Sequence, residues 1–158
     1  MTQMRRSMTI TLPIPPQTVM SWFTPEGERA WAGAGWDPHY PRPDRQVGPG
    51  TVFTTHAHTQ GAPTVWVMVD HRTTRVCYAR VTPEAQAGTV SVELVDSGED
   101  WSSVEVTYDL SALSEHGAEA LDRFSRGYDE EIRGWQAAIE KAVGPSHDSG
   151  GGAAGHPG

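Results

Sequence analysis

The feature that most constrains the fold is a run of five strand-like segments between residues 51 and 110. Each is rich in Val, Thr, Tyr or Trp and is bounded by turn residues. Such short connections make successive strands antiparallel neighbours. MTITLP, at residues 8–13, alternates apolar and polar residues and predicts a further strand, and a short edge strand around 38–41 is left open. The segments are TVFTTHAHT, TVWVMVDH, RVCYARV, TVSVELV and SSVEVTYDL, so the sequence predicts one antiparallel sheet of six or seven strands.

The period changes between residues 114 and 143. Apolar residues there recur every three or four positions, as on one face of a helix. Ser114 is a suitable N-cap, so we expect one long amphipathic helix, with close packing near Gly127 and Gly134. The apolar stripe consists of Leu121, Phe124, Tyr128, Ile132, Trp135 and Ile139.

Two short helices are predicted after the first strand. PPQTVMSWF places prolines where a helix can begin, and Thr24, Pro25 and Glu26 form a second start signal. The second helix, about residues 25–32, must be short because AGAG at 32–35 ends it.

Composition limits the classes of partner. The net charge is −8 and Lys141 is the only lysine, so we expect no nucleic-acid partner, since phosphate binding needs clustered cations. No apolar run approaches the roughly 18 residues of a membrane span. The single cysteine, Cys77, excludes an internal disulfide and favours a cytoplasmic protein. One lysine and no asparagine are typical of a GC-rich, bacterial genome.

The chain divides into one domain and a tail. Residues 1–143 carry all the predicted elements, whereas 144–158 are dominated by Gly, Ala, Ser and His. Such a segment offers little apolar surface, so we expect a flexible tail.

The order of elements, with FTPEGERAW, GTVFTT, TVWVMVD and VTYDLSALSEHGAEAL, resembles the START-like superfamily, also called SRPBCC or Bet v 1-like. The resemblance covers residues 8–143. It implies an α+β helix-grip fold, in which a curved antiparallel sheet wraps around a long C-terminal helix and two short helices sit at the mouth of a cavity. Similar proteins include lipid and hormone carriers, polyketide cyclases and Hsp90-ATPase-activator-like domains.

The resemblance directs attention to residues that face such a cavity. Trp22 and Phe23 are expected in the core, while Trp31 and Trp36 fit the core and the cavity wall equally well. The predicted ligand-binding wall consists of Trp31, Trp36, Trp66, Tyr78, Tyr108, Phe124 and Tyr128.

Strand alternation orients only some of these side chains. Tyr108 shares the apolar face of its strand, whereas the strand holding Trp66 is apolar on both faces and cannot be oriented. If Tyr78 and Arg80 point inward they are polar anchors for a carboxylate. Arginine is rarely buried, so we expect Arg80 in solvent.

A metal site is considered and not favoured. His56 and His58 share one strand face, but zinc needs a third ligand, and Glu93 or His39 supplies one only if the fold brings it near. We expect a solvated histidine pair, no metal and no cofactor.

Three functions remain. The first is a carrier or sensor that binds a small hydrophobic or aromatic molecule between the sheet and the C-terminal helix. The second is a cyclase-like or hydrolase-like enzyme acting in the same cavity. The third is an Hsp90-activator-like interaction module, and homodimerisation is left open. No catalytic residue is assigned.

Overall fold

A computed structural model describes residues 2–42, 44, 47–56 and 63–144. Its six strands form one antiparallel sheet in which the first strand pairs with the last, so the predicted sheet is confirmed. At the other edge a single bridge joins His39 to Thr54, within the stretch where an edge strand was left open. The strands are β1 (Gln3–Leu12), β2 (Val52–Thr55), β3 (Thr64–Arg72), β4 (Arg75–Thr82), β5 (Gln86–Ser97) and β6 (Ser102–Ala112), in the sheet order β1-β6-β5-β4-β3-β2.

The two short helices are single 3₁₀ turns, at Val19–Phe23 and Gly27–Ala30. Thr24 acts as predicted, because its hydroxyl accepts a hydrogen bond from the backbone N–H of Gly27 at 3.0 Å. Tyr78 of β4 donates its hydroxyl to the carbonyl of Phe23 at 2.6 Å. This bond attaches the 3₁₀ segment, residues 19–30 with both turns, to the sheet.

The C-terminal helical region is broken, which corrects the prediction of one long helix. Helix α1 (Glu115–Arg126) and helix α2 (Tyr128–Val143) meet at Gly127, whose φ of −99° and ψ of 11° interrupt the helical geometry. Glycine has low helix propensity, so a break costs little there. The cap prediction is confirmed, because Ser114 accepts from the N–H of Gly117 at 3.2 Å.

Close packing occurs at a different glycine from those expected. A Cβ on Gly117 would lie 2.0 Å from the carbonyl oxygen of Ala85, whereas a Cβ on Gly134 would meet nothing within 4 Å. At Gly127 the nearest atom would be 3.8 Å away. The close contact therefore holds the start of α1 against the turn before β5.

The core lies between one sheet face and the helices. Strand β6 alternates as predicted, with Val104, Val106 and Leu110 buried on the inner face. Trp66 and Met68 settle the orientation of β3, since both are buried while Val69 is exposed. The expected tail falls outside the described residues from position 145 onward.

Candidate ligand-binding cavity

A cavity of about 450 Å³ lies between α2 and strands β3 to β6, beside the 3₁₀ segment. This volume is within the range of small-molecule sites, roughly 300–1,000 Å³. The opening is on the α2 side, where the lining residues Glu130, Glu131 and Gly134 are exposed. The full lining is Glu28, Trp31, Ala32, Trp36, Trp66, Tyr78, Arg80, Val90, Val92, Tyr108, Glu130, Glu131, Gly134, Trp135 and Ala138.

Four of the aromatic lining residues are held in place by hydrogen bonds from their own polar groups. Three indole N–H groups and one phenol donate to protein oxygens, three of which belong to the 3₁₀ segment and its flanks. Each ring therefore has a fixed orientation. The bonds run from Trp31 to the Trp22 carbonyl (2.8 Å), from Trp36 to the Pro25 carbonyl (2.9 Å), from Trp66 to the Thr55 hydroxyl (3.0 Å) and from Tyr78 to the Phe23 carbonyl (2.6 Å).

Arg80 is the cationic residue of the lining, which corrects the expectation that it lies in solvent. Its Nη1 donates to the side-chain oxygen of Gln86 at 3.2 Å, and its guanidinium lies 5.4 Å from the centre of the Trp66 ring. Its Nε is enclosed and has no hydrogen-bond partner among the described residues. Burial lowers the pKa of the guanidinium, against a smaller opposing effect of Tyr108.

Tyr108 joins the cavity to the solid part of the core. Its ring packs edge-on against Phe124 at 5.0 Å and against Tyr128 at 5.9 Å between ring centres. Burial raises the pKa of its phenol, so the hydroxyl keeps its proton throughout the neutral range. That hydroxyl has no hydrogen-bond partner in the described part of the chain, so it is free to donate to a ligand.

Glu28 adds a carboxyl group to the lining. The residue is partly buried, and burial raises the pKa of its carboxyl well above the ordinary value of 4.5. Its charge acts on the phenols of both Tyr78 and Tyr108, so the carboxyl lies within electrostatic reach of the cavity interior. The cavity thus combines a carboxyl that retains its proton beyond the usual range, a phenol and a guanidinium.

The structure brings five of the seven predicted wall residues to the cavity: Trp31, Trp36, Trp66, Tyr78 and Tyr108. Phe124 and Tyr128 are not among the lining residues of this cavity. The hydroxyl of Tyr128 donates to the Val106 carbonyl at 2.6 Å, so its ring fills the space over β6. Phe124 packs behind Tyr108 against the same rings. A role in binding ligand stays a prediction for the other five.

Trp135 is a lining residue that the predicted wall omits. Its ring lies 5.3 Å from that of Trp31 and 6.2 Å from that of Tyr108. Trp135 belongs to the apolar stripe, so the helical spacing predicted that it faces the sheet. The spacing did not show which residues of the stripe lie over empty space. Glu28 had no comparable signal, because an acid in the first turn of a short helix is ordinary helix chemistry.

No metal centre is found within the described residues, since no three His, Cys, Asp or Glu side chains there are placed to hold an ion. The rings of His39 and His56 lie 5.9 Å apart, while His58 falls outside the described residues. Across the same part of the chain, neither helix has both the length and the apolar character that a membrane span requires.

Comparison with known proteins places the fold. No family model and no curated protein matches the sequence. Among solved structures, a protein from Rhizobium loti is 22% identical, with 90% of this chain and 99% of that chain covered and a TM-score of 0.57. The Zhui aromatase/cyclase from a Streptomyces strain is 12% identical, covering 91% and 98%, with a TM-score of 0.61. The Aha1 dimer from Colwellia psychrerythraea is 12% identical, covering 89% and 99%, with a TM-score of 0.59.

These identities are too low to transfer an activity, but the likeness extends over nine-tenths of the chain and agrees with the element order predicted from the sequence. This protein therefore has an α+β helix-grip fold, which it shares with these solved structures.

Proposed function

We propose that the protein binds a small, largely aromatic molecule in the cavity beneath α2, as a carrier or sensor. The observation that carries this proposal is a cavity of about 450 Å³ walled by four aromatic rings that internal hydrogen bonds hold in place. Ligand sites are typically concave and apolar, with a few convergent polar groups. The empty space favours ligand binding over the alternative function, an Hsp90-activator-like interaction module.

The wall is organised before any ligand arrives. Trp36 and Trp66 meet edge to face at 5.8 Å, and Phe53 stacks behind Trp66 at 5.7 Å with nearly parallel rings. Side chains that are already ordered lose little conformational entropy on binding, so more of the contact energy contributes to affinity. A flat aromatic ligand suits such a wall, because aromatic rings favour edge-to-face and offset-stacked contacts.

A matched pair of variants at Gly134 tests the proposal. Gly134 lines the opening, and a Cβ there meets nothing within 4 Å, so Gly134→Ala is tolerated and Gly134→Leu places a larger side chain at the opening. We expect the neutral fluorescent probe N-phenyl-1-naphthylamine to bind the wild-type protein and Gly134→Ala alike. In Gly134→Leu its affinity should fall by about tenfold, equivalent to about 1.4 kcal/mol.

The readout is the probe's fluorescence titrated with each protein, alongside a thermal melt of each. Absence of probe binding by the wild-type protein would contradict the proposal. Equal affinity in Gly134→Leu and Gly134→Ala would also count against it, because binding would then lie elsewhere on the molecule.

A second candidate function is catalysis in the same cavity, and it is favoured by one observation. Glu28, Tyr108 and Arg80 combine a proton donor, a phenol and a cation around one apolar space. Groups of this kind can polarise a carbonyl and protonate the oxygen that develops charge. Clusters of perturbed groups in a cleft are typical of active sites, though structural networks also produce them.

The catalytic candidate is tested with aromatic esters and ketones that compete with the probe for the cavity. A catalytic function requires that the protein convert at least one of these esters or ketones. Glu28→Gln should slow that turnover while leaving the affinity for the probe unchanged. Turnover that Glu28→Gln does not affect would remove the carboxyl from the mechanism.

A further inference from the structure

We propose that the ligand of this cavity is an aromatic carboxylic acid whose carboxylate pairs with Arg80. This inference rests on the proposed function and deepens it by naming the class of ligand. It begins from the one enclosed side-chain nitrogen or oxygen that has no hydrogen-bond partner among the described residues, the Nε of Arg80.

Arg80 is the one enclosed arginine that lacks a carboxylate partner in the described part of the chain, since Arg123 and Arg133 also lack one there but are exposed. Seven arginines, all partly exposed, have a carboxylate oxygen within 4.0 Å, and Arg80 has none in the described part of the chain. Burying a cation without a counter-ion is costly, so a group that supplies one gains affinity. The seven pairs are Arg5–Asp109, Arg6–Asp129, Arg29–Glu26, Arg42–Asp44, Arg72–Asp70, Arg75–Asp70 and Arg126–Asp122.

The contacts that Arg80 does make leave one edge of its guanidinium unpaired among the described residues. Nη1 is occupied by Gln86, and the flat face lies over the Trp66 ring. Nε and Nη2 have no acceptor among the described residues. Nε is closed to solvent, so a carboxylate meets Nη2 first, and a small shift of the guanidinium then lets the two oxygens accept from both N–H groups in a bidentate pair.

Neighbouring side chains favour a planar ligand with its acid group pointing inward. Tyr108, whose phenol lies within electrostatic reach of Arg80, can donate a further hydrogen bond to the carboxylate. Trp66 and Trp135 line the same cavity and offer flat apolar surface to an attached ring. The ring therefore contacts the aromatic wall while the carboxylate meets the guanidinium.

Three acidic residues also line the cavity and act against an anion. Glu130 and Glu131 are exposed on α2, where solvent screens their charges. Glu28 is partly buried, and its raised pKa keeps its carboxyl protonated further into the pH range than an ordinary glutamate. Arg80 is more deeply enclosed than the two exposed glutamates, so its attraction is screened less than their repulsion.

The test compares two probes of the same shape and different charge, 2-naphthoate and 2-naphthamide, by isothermal titration calorimetry. We expect the wild-type protein to bind the acid at least about tenfold more tightly than the amide. In Arg80→Met that preference should disappear, because the acid loses much more affinity than the amide. Methionine is a conservative choice, because apolar replacement of a buried ion is often neutral or stabilising.

Arg80→Lys is a second variant, which keeps the positive charge but lacks the two neighbouring N–H groups of the guanidinium. It should retain only part of the preference for the acid over the amide. Equal affinity of the wild-type protein for both probes overturns this inference and leaves the proposed function standing. A preference for the acid that persists in Arg80→Met overturns it as well. If the wild-type protein binds none of the three compounds, 2-naphthoate, 2-naphthamide and N-phenyl-1-naphthylamine, both proposals are overturned.

Discussion

The two halves of the space between the sheet and the helices differ, although one sheet face supplies both. Over β1 and β6 the space is solid, with Leu121, Tyr128 and Ile132 all at 0% exposure. Over β3 to β5 it is a cavity of about 450 Å³. Tyr108 borders both, since its ring packs against Tyr128 and also lines the cavity.

The halves differ in what the rings are attached to. In the solid half the side chains of α1 and α2 reach the sheet directly, as Tyr128 does through its bond to the Val106 carbonyl. In the hollow half the rings of Trp31 and Trp36 are fixed to carbonyls of the 3₁₀ segment, and α2 presents Gly134 where a side chain could have filled the space. Hydrogen-bonded rings can therefore keep a space open that free apolar side chains would fill.

The largest expected effect lies in the solid half, at Tyr128. Tyr128→Ala removes a fully buried ring and its bond to the sheet, so we expect a loss of about 3–5 kcal/mol in the free energy of unfolding. A loss of that size approaches the whole stability of a marginal domain. Urea denaturation followed by circular dichroism measures it.

Tyr128→Phe is the matched control, because it keeps the ring and removes only the hydroxyl that donates to Val106. It should cost about 1 kcal/mol. If Tyr128→Ala costs no more than this control, the half over β6 is not solid and the contrast between the halves fails.

Phe124→Ala tests where the boundary between the halves runs. Phe124 is half-buried and packs against Tyr108 and Tyr128, so we expect a loss of about 3 kcal/mol, at the low end for a phenylalanine. Because Phe124 does not line the cavity, binding of N-phenyl-1-naphthylamine should be unchanged. A marked change in binding, with little loss of stability, would place Phe124 on the wall after all.

Gly134→Ala sharpens the contrast from the hollow side. The added Cβ meets no atom within 4 Å, and alanine is favoured over glycine in a helix interior by about 0.8–1.0 kcal/mol. We therefore expect a gain of about that size in a thermal or urea melt. A loss would mean that the helix cannot accept a side chain here and that the space is smaller than the cavity volume indicates.

Glu28→Gln should have the smallest effect, confined to the dependence of stability on pH. The folded protein holds the Glu28 proton to a higher pH than the unfolded chain, whose glutamate titrates near 4.5. As pH rises above that value the native state binds more protons than the unfolded state, so this residue's contribution to stability is progressively lost. Below it the contribution is fully present.

Glutamine cannot titrate, so the stability of Glu28→Gln relative to the wild-type protein should rise as pH increases above 4.5 and stay constant below it. Urea denaturation midpoints of the two proteins across the pH range provide the measurement. A constant difference at every pH would show that the Glu28 carboxyl is as well hydrated in the folded protein as in the unfolded chain.

Local pattern was enough to predict the elements and much of the inner face. Alternation in SSVEVTYDL placed Tyr108 inside, and Ser114 marked the start of the first helix, because both signals depend only on neighbours in the chain. The break at Gly127 was not predicted, since a glycine inside a helical stripe lowers helix propensity without requiring an interruption.

What the sequence determined by itself was the order of the strands and helical segments and, where apolar and polar residues alternate, the inner face of a strand, because both follow from periodicity. Only the tertiary structure decided which apolar side chains meet each other and which stand over a space. Phe124 and Trp135 belong to the same stripe, yet only Trp135 lines the cavity. Arg80 was enclosed against the usual tendency of arginine, since β4 aims it at the inner face and Trp66 and Gln86 hold it there. Whether the space is filled depends on the combined volume of side chains from elements that are far apart in the chain, and no short stretch of the sequence contains that information.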